Sequence, residues 1–147
     1  MKSRRHAPHA GDSRTYSRNH SITLNGGQTV AVSASVDFKG DPMHADPEQL
    51  MVSALASCHM LTLLAIAEGQ GYRVEEYRDN AVGYLEKGEG GMSMTRIEIS
   101  PNIVFGGERV PDEAALRRLH AGAHRNCFIG RSIRSEVVVL NDGEPML

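Results

Sequence analysis

The chain has 147 residues, 40% of them hydrophobic and 23% charged, with a formal net charge of −2. Those values suit one soluble globular domain with its own core, and they argue against the strongly basic surface that a nucleic-acid-binding domain needs. Two cysteines and no C-x-x-C exclude a disulfide-dense scaffold and a four-Cys zinc finger, and the absence of Trp argues against aromatic sugar or base platforms.

Residues 1–13 carry Lys2, Arg4, Arg5 and His6 without a following apolar segment. They read as a disordered, partly basic tail and not as a secretory signal. A single domain is expected over 14–147. Thr15–Leu24 alternates loosely and predicts a strand, and Asn25-Gly26-Gly27 predicts a tight turn. Val30, Val32, Ala34 and Val36 fall on every second position, so the returning strand has one buried face.

Lys39–Ala45, with Gly40, Asp41 and Pro42, is a loop. Asp46 then suits a helix N-cap, Pro47 the first helical position and Glu48 the positive end of the helix dipole. Gly69 and Gly71 close the helix. From Leu50 to Ala67 the segment is uncharged, at the lower limit of membrane-spanning length. Ser53, Ser57, His59 and Thr62 interrupt it, and Glu48 and Glu68 flank it where Lys or Arg would be expected. It reads as a helix buried on most sides within protein, with no membrane partner.

Tyr72–Lys87 predicts a long strand, Gly88–Gly91 a turn and Met92–Ile99 the return strand. Pro101 interrupts that strand and Ile103–Phe105 continues it. Pro111-Asp112-Glu113 starts a second helix with Leu116, Leu119 and Ala123 as its apolar stripe. Asn126–Ser132 is a short turn or helix, and the apolar strand Val137–Leu140 is covered on both faces. The order β-β-α-β-β-α-β predicts an α+β fold with antiparallel sheet around a long buried helix.

Three readings of the cysteines are open from the residues alone. Cys58 and Cys127 can be buried structural thiols. They can be a redox pair, because Ser57 and His59 flank one and His124-Arg125-Asn126 precedes the other, and such neighbours lower a thiol pKa. Or Cys58, His59, His124 and Cys127 can bind a metal. His124 and Cys127 have usable i,i+3 spacing, but adjacent Cys58 and His59 point about 100° apart on a helix. No G-x-S-x-G supports a serine hydrolase. The usual fate of His59 and His124 is a structural hydrogen bond.

Asp46-Pro47-Glu48-Gln49-Leu50 and Ala54-Leu55-Ala56-Ser57-Cys58-His59-Met60, followed by Ala123-His124-Arg125-Asn126-Cys127-Phe128-Ile129, resemble the two signatures of the OsmC/Ohr family. These are the osmotically inducible and organic hydroperoxide resistance proteins. The resemblance covers roughly residues 14–140. It implies a cytoplasmic thiol peroxidase that uses no metal or cofactor. Cys58 would be the peroxidatic thiolate and Cys127 the resolving thiol, regenerated by a dithiol reductant of lipoyl or another type. Glu48 would orient an arginine against the thiolate, and Arg18 is the candidate. Ten residues of helix separate Glu48 from Cys58 by about 15 Å, so Glu48 would act through the arginine or on the Cys58 of a partner chain. The second arrangement fits the intertwined homodimer that the resemblance also implies. Met51, Met60, Leu61 and Leu64 would form core or the apolar wall of a pocket for organic hydroperoxides. The residues also leave open a redox-inert domain that binds an apolar ligand or partner.

Overall fold

A computed structural model describes residues 1–5 and 16–147. The chain divides into two units, Met1–Met51 and Val52–Leu147.

In the first unit, β1 (Lys2–Arg5), β2 (His20–Thr23) and β3 (Thr29–Val32) form an antiparallel sheet in that order. The expected tail thus contributes a strand at residues 2–5, and the rest of that tail lies outside the described residues. Asn25–Gly27 makes the predicted turn, closed by the Leu24 N–H on the Gln28 carbonyl at 2.8 Å. Gly26 and Gly27 have φ of 74° and 78°, which glycine adopts without the usual Cβ clash.

The predicted strand through Val36 ends early. At Ser33 the backbone N–H turns to the Ala45 carbonyl at 2.8 Å, and the chain then coils through Val36–Phe38. Val32 is fully buried, but Val36 is 62% exposed. Alternation of apolar residues continued past the point where ladder partners ran out. Buried Ser33 ties this turn down, donating to Asn19 at 2.9 Å and accepting from the Asp41 N–H at 3.1 Å. Gly40 passes so close to the Ala34 carbonyl that a Cβ would stand 1.5 Å from its oxygen.

Helix α1 (Pro47–Gly69) begins as predicted. Asp46 caps it, accepting from the Gln49 N–H at 2.7 Å, and Gln49 reaches back to the Asp46 N–H at 3.2 Å. This reciprocal pair satisfies two donors at the helix start. At the other end Tyr72 N–H bonds Ala67 and Gly71 N–H bonds Glu68, with Gly71 at φ 76°. That pattern is a Schellman stop, and Ala67 and Tyr72 supply its apolar contact.

In the second unit, α1 buries one stripe at i,i+4 spacing: Leu55, His59, Leu63 and Ala67. By length and composition α1 could cross a membrane, yet only 28% of its most apolar window is buried in this chain. Within this one chain α1 is therefore buried along one stripe. Ala54, Ser57, Leu61 and Ala65 are exposed, with Leu61 at 60%.

The long strand after α1 is two: β4 (Arg73–Asp79) and β5 (Val82–Gly88). Their partners are β7 (Pro101–Gly106) and β6 (Gly91–Ile99), respectively. The register is the same on both sides of the break, with Asp79 opposite Pro101 and Val82 opposite Glu98. One hairpin is therefore interrupted at Asn80–Ala81, facing Ser100. Pro101 has no N–H for the ladder, and Ser100 N–H is taken by the Asp79 carboxylate at 2.8 Å.

Helix α2 (Glu113–Asn126) is capped by Asp112, which accepts from the Ala115 N–H at 2.7 Å. Leu63, Ala67, Tyr72, Ala115, Leu119 and Ala123 form the core between α1 and α2, with Val74, Tyr77, Ile103 and Phe105 packed on it. A short helix α3 (Phe128–Ser132) follows, then β8 (Glu136–Asn141) and β9 (Glu144–Pro145). β8 pairs with β6 in parallel, giving the sheet order β5-β6-β8-β9. The expected antiparallel pairing holds for the other named strand pairs, and this one parallel pair is added because the long connection through β7, α2 and α3 returns the chain in the direction of β6, as only a crossover can. Ile97, Ile99 and Val139 are fully buried there.

Candidate thiol site

The Val52–Leu147 unit brings Cys58 and Cys127 together as a close thiol pair. Cys58 sits mid-α1 on the flank between the buried stripe and the exposed face, half-buried. Cys127 is 1% exposed and holds the corner between two helices. Its N–H bonds the Ala123 carbonyl at 2.8 Å and ends α2. Its Sγ accepts from the Gly130 N–H at 3.2 Å and starts α3. Sulfur here takes the place of the oxygen acceptor usual at an N-cap.

The two thiols are pushed in opposite directions. Burial raises the Cys58 pKa, but hydrogen bonds from Cys127, the Ile129 and Phe128 amides and the Thr62 hydroxyl outweigh it and hold the thiol below its ordinary value. Burial raises Cys127, and donating to Cys58 raises it further; the Gly130 amide only partly offsets this. A shared proton between two sulfurs belongs to the pair. The donors around Cys58 make it the easier of the two thiols to ionise.

Cys58 opens into a cavity of about 700 Å³ lined by Ala54, Ser57, Leu61, Thr62, Ala65, Asn126, Phe128, Ile129 and Arg131. The lining is mostly apolar, with Arg131 exposed in the last turn of α3. A thiol of lowered pKa in an accessible apolar cleft, backed by a second buried thiol, has the parts for two-electron oxidation followed by disulfide closure.

Arg18 and Glu48 lie in the Met1–Met51 unit. Arg18 donates to the Tyr16 carbonyl at 3.2 Å, and its guanidinium stands 4.3 Å from the Tyr16 ring centroid. Glu48 occupies the first turn of α1, half-buried.

His59 lies in the buried stripe of α1. Its Nε2 lies 3.1 Å from Nδ1 of His120, with the rings stacked 5.4 Å apart. Both are almost fully buried. Burial, then the charges of His120 and His124, push His59 down to about 3, and burial pushes His120 down to about 4. The pair is neutral at pH 7. His59 thus finds the expected structural hydrogen bond, to a residue the sequence reading did not single out. His124 is exposed. Among the described residues no three His, Cys, Asp or Glu side chains converge as metal ligands, so the four-residue metal site is not assembled.

Thr62 and the α3 amides were also missed. Thr62 was findable, since it follows Cys58 by four residues and shares its helix face. The amides were not, because only folding carries α3 to α1.

The family profile described as OsmC-like protein matches residues 17–140. A Vibrio cholerae OsmC-like protein of unknown function is 41% identical in solved structure, with TM-score 0.83 and 87% and 86% of the two chains covered. Bacillus subtilis YmaD is 25% identical over 122 residues, covering 82% of this chain and 81% of YmaD. An organic hydroperoxide resistance protein of Elizabethkingia anophelis is 22% identical with TM-score 0.66, covering 84% and 86%, a likeness of fold.

Proposed function

The chain belongs to the OsmC-like protein family, and from that premise we propose that it is a Cys-based thiol peroxidase that reduces organic hydroperoxides to alcohols. One observation carries the reading: within a close pair, the accessible thiol is lowered and the buried thiol is raised. That asymmetry supports Cys58 as the attacker and Cys127 as the resolver.

The Cys58 thiolate attacks the terminal peroxide oxygen. The O–O bond breaks, the alkoxide takes a proton and leaves as the alcohol, and Cys58 is left as sulfenic acid. The Cys127 thiol displaces water from that sulfur and closes a disulfide. A dithiol reductant, of the lipoyl type or another, takes up the oxidation by exchange and restores both thiols. The apolar cavity favours alkyl or fatty hydroperoxides over hydrogen peroxide. The likeness to an organic hydroperoxide resistance protein supports the same class. The reaction belongs in the cytoplasm, where thiols are kept reduced.

The exposed apolar face of α1 supports a homodimer in which that face is covered by a second chain. In such a dimer Glu48 and Arg18 are assigned to hold a guanidinium near the thiolate.

Titration with an alkyl hydroperoxide, followed by mass spectrometry, tests the proposal. Wild-type protein should form a Cys58–Cys127 disulfide. Cys58→Ser should abolish turnover, and Cys127→Ser should oxidise once and stall. Full activity in both variants refutes the assignment. A redox-inert domain binding an apolar ligand is the second reading, favoured by the same cavity. It prevails if Cys58 never oxidises while an apolar fluorescent probe binds there.

A further inference from the structure

We propose that Thr62 is the positioning residue of the thiol site, its hydroxyl held one helical turn from Cys58 so that it can pass its hydrogen bond from the Cys58 carbonyl to the Cys58 thiolate. The geometry comes from α1. Residues four apart stand one above the other on a helix, so Cys58 and Thr62 share a face, and both line the cavity. Thr62 Oγ1 donates to the Cys58 carbonyl oxygen at 2.8 Å. Such back-bonding fixes the hydroxyl against its own helix. β-Branching restricts the side chain to few rotamers, so the oxygen is held in place.

A threonine hydroxyl has one proton to give. While Cys58 is a thiol, the carbonyl is the better acceptor. Once Cys58 ionises, its sulfur carries a full charge and competes for the same proton through a charge-assisted bond. Thr62 hydrogen bonding is accordingly among the interactions that favour ionised Cys58. The arrangement needs no ion-pair partner. It is built within the Val52–Leu147 unit, independently of Arg18 and Glu48. Ser57, the other hydroxyl beside Cys58, is its chain neighbour and points about 100° around the helix.

The inference deepens the peroxidase reading, but its test does not use peroxide. Alkylation of Cys58 by iodoacetamide, in which the thiolate displaces iodide, is followed against pH with the site resolved by mass spectrometry. Wild type is compared with Thr62→Val, which keeps the shape without the hydroxyl, and Thr62→Ser, which keeps the hydroxyl. Thr62→Val should slow alkylation at neutral pH by about three- to tenfold, shift the midpoint of the profile upward, and leave the high-pH limiting rate unchanged. Thr62→Ser should restore most of the rate. If Thr62→Val does not fold, Thr62→Ala gives the same comparison. A wild-type profile in the folded Val or Ala variant overturns the proposal. So does a loss that Thr62→Ser does not rescue. If the Thr62 effect appears but no hydroperoxide oxidises Cys58, the peroxidase reading falls while this one stands.

Discussion

The buried His59–His120 pair makes the protein acid-sensitive in a way that can be worked through. Both rings are neutral in the folded chain, with pKa values pushed down to about 3 and about 4, against an ordinary value of 6.5. As the pH falls below 6.5, the unfolded chain binds protons at both rings that the folded chain refuses. Their contribution to stability is therefore present above pH 6.5 and lost as pH falls toward the folded values. One pKa unit corresponds to about 1.4 kcal/mol, so lowering the pH from 8 to 5 costs about 2 kcal/mol per ring and about 4 kcal/mol for the pair. That is a large share of the 5–15 kcal/mol typical of a domain. Urea denaturation at a series of pH values measures it. Replacing both rings together, His59→Leu with His120→Leu, removes two mutually paired polar groups and should flatten the curve at little cost at pH 7. His120→Leu alone strands the His59 Nε2 in the core and should cost about 1–3 kcal/mol at pH 7. Identical pH dependence in wild type and the double variant, or a ring that titrates near 6.5 by NMR, refutes the reasoning.

Three further outcomes follow from the same physical picture. At neutral pH, iodoacetamide should modify Cys58 well before Cys127, because the first thiol is lowered and half-buried while the second is raised and 1% exposed; peptide mapping over time reads the order. Asp46→Ala removes the cap on the Gln49 N–H and should cost about 1 kcal/mol in thermal or urea unfolding. Light scattering at micromolar concentration should give a dimer, and Leu61→Glu, which puts a charge on the exposed face of α1, should shift it toward monomer; a wild-type monomer sinks the dimer.

Much of the local structure was legible because it is set by neighbours in the chain. Asp46-Pro47 and Gly71 bound α1 by capping chemistry, and Asp112 does the same for α2. Asn25-Gly26-Gly27 and Gly88–Gly91 turn because of backbone freedom. The break at Pro101 was readable from its missing donor. Errors came where a pattern depended on distant partners. Val36 continued the alternation but had no strand beside it. Lys2–Arg5 showed no strand pattern of its own and is ordered by the edge of β2.

The site divides along the same line. Cys58 in α1, with Cys127 just past α2, was fixed by motif and periodicity, since a residue's place on a helix follows from its number. Which thiol is the lowered one was implied by the resemblance and left open by the residues themselves. That is decided by the Phe128 and Ile129 amides, Thr62 and the depth of Cys127, and apart from Thr62 these reach the pair only through the packing of α3 against α1. His120 belongs with them, invisible until α2 laid it on His59. Sequence specifies short-range geometry through dihedral and hydrogen-bond preferences. Electrostatic environment depends on which groups tertiary contacts bring near and how much water they exclude, and so only the folded chain set the unequal pKa values of its two cysteines.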